Sequence, residues 1–302
     1  MSGRPPRRAA NPSASGRALA SRRALRSVPA AALALALAGM TGATAGCARA
    51  ARPSVRPAAN ADDVNAPPIH FFPSVFALAA PEDAIVCVVG PKMSCSGTLV
   101  DDDLVLTAHH CVVDRGAHGE YRHDSVAPAA LRVELGGDYL AWGDVGVSHV
   151  VAPPCGESGG AGDVAILVLE RKLVGLGTLT PRLDAPPRLG EVLDPAGFGR
   201  CALSADGIHR SVRVGGSVRA VTASTFDLQA SVCPGDSGGP VIARGSHEVV
   251  GVVSLSAMDA DERTRGTSIM SRIDSFRSVF ATARLIADGT HQAELPPLSC
   301  ER

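Results

Sequence analysis

The residues best suited to chemistry lie in a glycine-rich string at residues 235–240, which reads Gly-Asp-Ser-Gly-Gly-Pro. A serine hydroxyl is a poor nucleophile until a neighbouring base takes its proton. It also needs nearby backbone N–H groups to hold the negative charge that forms on an attacked carbonyl oxygen. Glycines around Ser237 allow a tight turn and a close approach of the backbone to substrate. The string therefore predicts a nucleophilic Ser237, although a Gly-Ser-Gly fragment alone would indicate only a turn.

Two further strings offer a base and a carboxylate. Residues 106–111 read Leu-Thr-Ala-His-His-Cys and follow an apolar run, and imidazole is the usual general base near neutral pH. Residues 162–167 read Gly-Asp-Val-Ala-Ile-Leu, which puts Asp163 at the head of an apolar strand, where it could hold the imidazole in one tautomer. A lone His is more often structural, and an Asp before a strand is often a turn residue. The prediction therefore depends on all three strings occurring together, in the order His, Asp, Ser.

These three strings resemble the His, Asp and Ser blocks of the chymotrypsin/trypsin-like serine proteases, and the resemblance extends over about residues 71–288. The chain order matches this family and differs from that of subtilisins and α/β-hydrolases. The resemblance implies that His110 is the base, because it directly precedes Cys111. His109 stands where the family usually has Ala, and we expect it to be a packed neighbour.

The resemblance also implies a mechanism. Asp163 would orient His110 and stabilise its imidazolium, and the N–H groups of Gly235 and Ser237 would hold the oxyanion. The substrate would be a protein or peptide. No metal or organic cofactor is required, and no His-Glu-x-x-His zinc motif occurs.

Four serines are implied to line the pocket for the substrate side chain: Ser231 at its base, Ser254 in the strand that pairs with substrate backbone, and Ser256 and Ser268 at the wall. In the family an Asp at the base position selects Arg and Lys through an ion pair. Because Ser231 is neutral, the sequence predicts a preference for small or medium uncharged side chains. The acidic loop at residues 259–262 could still attract a basic side chain from outside.

The chain has eight cysteines, and the resemblance implies a Cys95–Cys111 disulfide beside the base. Cys233 lies four residues before the nucleophile, as is usual in the family, but its usual downstream partner is missing. Cys201 or Cys300 could replace that partner, and spacing does not decide between them.

The start of the catalytic region departs from the family pattern. In the family, a freed Ile-Val-Gly-Gly N-terminus pairs with the Asp before the nucleophile, here Asp236, and thereby shapes the oxyanion hole. No such start appears before Ala84. The sequence therefore leaves the activating event open.

The composition favours β-structure, with 32 Gly, 22 Pro and only 3% aromatic residues. Short apolar runs bounded by turn residues predict strands at 84–89, 97–106, 131–135, 145–151, 164–169, 212–221 and 249–255. Apolar residues at helical spacing predict a C-terminal amphipathic helix over residues 273–288. Together with the resemblance, these patterns imply an all-β fold of two antiparallel six-stranded β-barrels followed by an α-helix, with an irregular tail at residues 289–302.

Charge is distributed unevenly along the chain. Ten arginines lie between Arg4 and Arg56, and the first acidic residue is Asp62. The part of the chain after Arg56 contains 19 basic residues and all 30 acidic residues, which gives it a net charge of −11. A nucleic-acid-binding domain would normally be basic, so we expect no nucleic-acid partner.

The basic start predicts export. An Arg-rich region precedes an apolar run at residues 28–40 and a small-residue zone at 44–46, which is typical of a signal peptide over residues 1–47. Residues 44–47 resemble a bacterial lipobox, which would lipidate Cys47, and plain secretion is the alternative. Residues 48–70 are rich in Ala, Pro and Arg and predict a flexible tether. Any contact with a membrane would be through a lipid anchor at Cys47.

Two functions from other classes compete with peptide hydrolysis. The domain could be an inactive, protease-shaped binding module, which the intact triad and its glycines argue against. It could instead be an esterase or another acyl-transfer enzyme, because the same triad would serve. The resemblance favours peptide bonds.

Overall fold

A computed structural model describes residues 80–115, 121–137, 141–154, 158–200, 209–258 and 264–299. The predicted signal peptide (1–47), the tether (48–70), Cys47, Cys201, Cys300 and the acidic loop at 259–262 lie outside these residues. The described strands are β1 (Ile85–Val89), β2 (Ser94–Asp101), β3 (Leu104–Thr107), β4 (Val113–Arg115), β5 (Tyr121–Ser125), β6 (Arg132–Leu135), β7 (Gly143–Val151), β8 (Ala165–Leu169), β9 (Thr180–Pro181), β10 (Val192–Gly197), β11 (Ser211–Val212), β12 (Gly216–Val221), β13 (Thr225–Leu228), β14 (Pro240–Ala243), β15 (Glu248–Met258) and β16 (Thr264–Arg272).

The first barrel closes in the strand order β1-β2-β3-β8-β7-β6, with every pair antiparallel. Strand β8 is buried along its whole length, which explains its unbroken apolar sequence. The single strand predicted over residues 97–106 is wrong in one respect. It is divided between β2 and β3, because the consecutive Asp101, Asp102 and Asp103 favour a turn over a continued strand.

The second barrel closes in the order β10-β12-β13-β16-β15-β14, with β14 pairing back to β10. Its core is a separate cluster that includes Leu193, Phe226, Leu228 and Met270. The predicted strand at 212–221 is divided into β11 and β12. Strands β13, β14 and β16 were not singled out in the sequence, because they are short or interrupted by polar residues.

The C-terminal helix α1 spans Arg277–Ala287 and follows a 3₁₀ turn at Asp274–Phe276, so it begins later than the predicted residue 273. Its apolar face, which includes Val279, Phe280 and Ala283, joins the core of the first barrel. The helix thus follows the second barrel in sequence and packs on the first. No helix in the described part of the chain is long and apolar enough to cross a membrane.

The predicted fold class is therefore confirmed: two closed, six-stranded antiparallel barrels are followed by a C-terminal helix. The barrels meet at β2. The backbone N–H of Ser96 in β2 donates to the carbonyl of Ser237, and the Ser96 hydroxyl donates to the carbonyl of Gly235. The loop that carries the predicted nucleophile is therefore held against the first barrel.

Candidate active site

Strand register brings His110 and Asp163 together. Strands β3 and β8 are antiparallel with Thr107 opposite Ala165, so the end of β3 lies beside the start of β8. His110 lies in a 3₁₀ turn (His109–Cys111) just after β3, and Asp163 lies just before β8. The Nδ1 atom of His110 is 2.7 Å from Oδ2 of Asp163, and the His110 backbone N–H donates to Oδ1 at 2.8 Å.

The Asp163 carboxylate is completely buried and has a third donor. The hydroxyl of Ser254, in β15 of the second barrel, donates to Oδ2 at 2.5 Å. Burial alone would raise the pKa of Asp163, but the hydrogen bonds and charge of His110, with the Ser254 hydroxyl, outweigh it and lower the pKa below the usual value. The carboxylate is therefore ionised near neutral pH and can orient the imidazole through Nδ1.

Ser237 lies in a turn that the second barrel presents to the first. The backbone N–H of Gly238 donates to the carbonyl of Val253 at 2.8 Å, and the backbone N–H of Val253 donates to the carbonyl of Gly239 at 2.9 Å. Strand β15 therefore supports the turn. Val253 directly precedes Ser254, which holds Asp163. The turn carrying Ser237 and the hydroxyl that reaches Asp163 therefore share one strand as support.

Glycine is needed at two positions of this turn. Gly235 has φ of +102° and Gly238 has φ of +82°, both in the left-handed region. A Cβ at Gly238 would lie 2.2 Å from Oγ1 of Thr107 and 2.3 Å from the carbonyl oxygen of Ser96. The turn consequently packs against the end of β3, three residues before His110.

The N–H groups of the turn divide into two sets. Those of Asp236, Gly238 and Gly239 donate to carbonyls of the chain. Those of Gly235 and Ser237 donate to no acceptor among the described residues. Two backbone donors flanking Asp236 are thus available to an external oxygen.

The Cys95–Cys111 disulfide is confirmed, and it ties β2 to the turn that carries His110. Cys233 is also disulfide-bonded. Cys87 is a free, buried thiol, and burial raises its pKa to about 11. A thiol that is protonated near neutral pH is a weak nucleophile, so Cys87 does not compete with Ser237 for that role.

Among the described residues, two clusters have the residue types of a metal site, and neither has suitable ligands available. One combines His110 with the two cysteines of the disulfide, which cannot act as thiolates. The other is Asp101–Asp103, whose three carboxylates form ion pairs with Lys172 and Arg284. A cavity of about 250 Å³ adjoins the Ser237 turn and is lined by Cys87, Ser94, Cys95, Phe198, Arg200, Pro234 and Gly235.

The serines expected at the substrate pocket occupy different environments. Ser231 is exposed, and Ser256 is half-buried opposite Ser268 in the β15–β16 pairing. Ser268 is buried, and its hydroxyl donates to the carbonyl of Ala230, next to Ser231. Ser254 is buried with its hydroxyl on Asp163. Three of the four serines therefore gather around residues 230–231, while the Ser254 side chain serves the carboxylate.

Sequence reasoning missed three side chains of the site. Ser254 was expected only to bind substrate. Residues 95–100 read Cys-Ser-Gly-Thr-Leu-Val and resemble a Cys-Gly-Gly-Ser-Leu-Ile strand of the family, so Ser96 stands where that strand has Gly, and this difference was a signal that could have drawn attention to it. Arg213 was hidden in a predicted strand, and it pairs with the buried Asp236. No sequence pattern links Arg213 to Asp236, because 23 residues separate them.

Comparisons with known proteins identify the fold and the family of this chain. A sequence model of the family described as Trypsin matches residues 79–279. Among solved structures, a Glu endopeptidase in complex with MPD is 20% identical, with a TM-score of 0.54 over 68% of this chain and 92% of its own. Neuropsin, a serine protease of mouse brain, is 16% identical, with a TM-score of 0.53 over 68% of this chain and 97% of its own.

A comparison with curated protein sequences gave no significant match. The structural likenesses support the fold, and the family match extends over more than half of the chain. The chain therefore belongs to the trypsin family and is a serine-type endopeptidase.

Proposed function

We propose that the chain hydrolyses peptide bonds through His110, Asp163 and Ser237, by way of an acyl-enzyme. The observation that carries the proposal is the buried contact between Nδ1 of His110 and Oδ2 of Asp163, with the Ser237 turn packed on the strand end that leads to His110. Membership of the trypsin family supports peptides and proteins as substrates.

The proposed chemistry follows the triad template. Ser237 Oγ attacks the peptide carbonyl carbon while Nε2 of His110 takes the hydroxyl proton. The N–H groups of Gly235 and Ser237, which have no acceptor among the described residues, would hold the oxyanion of the tetrahedral intermediate. The intermediate then collapses, His110 gives its proton to the leaving amine, and the acyl group remains on Ser237. Water, deprotonated by His110, releases the acid product and restores the enzyme.

The test of this function is the Ser237→Ala variant of the exported protein. We expect casein hydrolysis to fall by about 10⁶-fold and labelling by a fluorophosphonate probe to disappear, because the nucleophile is gone. Circular dichroism should show an unchanged fold. Wild-type protein that neither labels nor cleaves would favour the inactive binding module, and hydrolysis of short-chain esters without casein cleavage would favour an esterase.

We further propose that the substrate pocket does not select Arg or Lys. The neutral Ser231 would offer no ion pair at its base, and the Ser268 hydroxyl is already engaged with Ala230. A peptide library profiled by mass spectrometry should show cleavage after small or medium uncharged residues. Ser231→Asp should shift cleavage towards Arg and Lys, because it adds a negative charge at the base of the proposed pocket. Dominant cleavage after Arg or Lys by the wild type would contradict the proposal.

Export is proposed on the signal-like residues 1–47, and the Cys95–Cys111 disulfide supports an oxidising destination. The proposed organisation places a tether at 48–70, the protease domain at 71–288 and a tail at 289–302. Mass spectrometry of the exported protein distinguishes a lipidated Cys47 from plain secretion.

A further inference from the structure

Asp236 lies between Gly235 and Ser237, whose N–H groups have no acceptor in the described part of the chain, and its carboxylate is saturated with hydrogen-bond donors. Its carboxylate is fully buried and accepts from the backbone N–H of Gly199 at 2.8 Å and of Cys233 at 2.8 Å. The Arg213 guanidinium donates to both oxygens, from Nε at 2.9 Å and from Nη2 at 3.0 Å. A carboxylate has about four acceptor positions, so these four bonds fill it.

The carboxylate also has no room for another cation. A Cβ on Gly199 would lie 2.4 Å from Cγ of Asp236, and one on Gly197 would lie 2.8 Å from its Oδ1. Arg213 is held by two further hydrogen bonds, one from its guanidinium and one from its backbone. Its Nη2 donates to the carbonyl of Gly199, and the Arg213 backbone N–H donates to the carbonyl of Pro195 at 2.7 Å.

The position of Asp236 in the chain links this arrangement to the proposed oxyanion site. Gly235 and Ser237 are bonded directly to Asp236, so the orientation of its side chain fixes the direction of their N–H groups. A buried carboxylate requires a compensating positive charge. In the resembling proteases a freed N-terminal amine supplies that charge. Here the Arg213 guanidinium supplies it, and together with the backbone N–H groups of Gly199 and Cys233 it fills the acceptor positions of the carboxylate.

We propose that Arg213 is a positioning residue that replaces the N-terminal amine. On this view, which rests on the proposed function, the oxyanion turn forms when the chain folds, with no proteolytic release of an N-terminus. An extended, tethered or lipidated N-terminus is then compatible with full activity. Arg213 acts through Asp236 and does not touch the substrate.

The first test leaves Arg213 unchanged. The full chain, with an uncleavable carrier domain fused ahead of Met1, is produced under oxidising conditions and treated with the fluorophosphonate probe. We expect the unshortened fusion to label at a rate close to that of the exported protein. Intact mass identifies the labelled species. If only shortened chains label, the inference is overturned, whereas absence of labelling in every form contradicts the proposed function instead.

The pH profile gives a second readout on the exported protein. An N-terminal amine loses its proton near pH 8, at about 7.7–8.0 in unperturbed chains, whereas a guanidinium stays charged. We expect kcat/KM to stay level between about pH 8 and pH 10. A loss of activity with a midpoint close to pH 8 to 9 would point to an amine and overturn the inference.

The third test changes the residue. Arg213→Met should lower kcat by about 100-fold with a smaller change in KM, comparable to the loss of one oxyanion donor. Arg213→Lys should recover part of the activity, because it restores the charge but not both hydrogen bonds. Arg244→Met is the matched control, because Arg244 forms an exposed pair with Asp194 in the same barrel and should leave kcat unchanged.

The outcomes of the variants are separable. A folded Arg213→Met protein with wild-type kcat overturns the proposal. If that variant does not fold, the fusion and the pH profile, both measured on protein with Arg213 intact, still decide it.

Discussion

His109 and His110 are adjacent and both buried, and the Asp163 carboxylate holds His110 by its ring and by its backbone. His110→Ala should therefore be as damaging as Ser237→Ala, with a loss of kcat of about 10⁶-fold, since triad members act as a unit. His109→Ala should retain measurable activity. Steady-state hydrolysis of a peptide substrate checks both variants. A dead His109 variant beside an active His110 variant would reverse the assignment of the base.

Ser254 gives a prediction that depends on its hydroxyl alone. Ser254→Ala removes one of the three donors to a fully buried carboxylate. A hydrogen bond to a charged group contributes about 1.5–3 kcal/mol, so kcat should fall by about 10–100-fold with KM little changed.

The matched control for Ser254 is Ser271→Ala. Ser271 is a buried serine whose hydroxyl donates to the neutral carbonyl of Gly160, in the loop that leads to Asp163. It should lower thermal stability with a much smaller effect on kcat. Equal losses of kcat in both variants would mean that the Ser254 hydroxyl has only a structural role.

At the scale of elements, Arg284 joins helix α1 to the turn between β2 and β3. Its guanidinium donates to Asp101 at 2.8 Å and to Asp103 at 2.6 and 3.1 Å. Asp103 is buried, so Arg284→Met leaves its charge with the more distant Lys172, at 3.6 Å. Removing one partner of such a pair costs about 3 kcal/mol. Urea unfolding in a Ser237→Ala background, which prevents self-digestion, measures the change.

This pair also predicts a pH dependence. Burial alone would raise the pKa of Asp103, but hydrogen bonds and charge from Arg284, with Lys172, lower it. A lowered carboxyl pKa stabilises the fold above the unfolded value of about 4 and loses this contribution as pH falls through the folded value. The stability difference between wild type and Arg284→Met should therefore shrink below pH 4. Arg132→Met, which breaks an exposed pair with Glu134, should show neither effect.

At the scale of the whole molecule, the candidate site exists only where the barrels meet. His110 and Asp163 come from the first barrel and Ser237 from the second, and Ser96 joins the two. The Ser96 hydroxyl donates to the carbonyl of Gly235 at 2.7 Å and accepts from the N–H of Phe198 at 2.8 Å. Both partners belong to the second barrel, so this one hydroxyl makes two hydrogen bonds across the interface between the barrels.

Ser96→Ala should therefore affect both stability and catalysis. The buried N–H of Phe198 and the partly buried carbonyl of Gly235 lose their partner, at a cost of up to about 1–3 kcal/mol each, and the Gly235 peptide loses one of its supports. We expect a lower melting temperature and a fall in kcat of at least about ten-fold. Ser148→Ala is the control, because that hydroxyl bonds within the first barrel and should alter stability alone. An unchanged kcat in Ser96→Ala would contradict a role at the interface.

The sequence by itself determined the class of fold and predicted the catalytic residues. Short strings carry the Ser237, His110 and Asp163 predictions, because a nucleophile needs glycines beside it and a carboxylate at a strand head is a local feature. The sequence also predicted many of the short strands and the C-terminal helix, because local apolar patterns are enough for them. It predicted the Cys95–Cys111 disulfide through the family resemblance. Strand ends were placed less well, as at the turn between β2 and β3.

Only the tertiary structure decided which distant side chains support the site. Ser254 is 91 residues from Asp163, Ser96 is 139 from Gly235, and Arg213 is 23 from Asp236. Serine and arginine are common residues without a local signature, and each acquires its role from strand register and barrel closure. A buried carboxylate requires donors, but the sequence does not state which strand will bring them, because that depends on how the two barrels pack together.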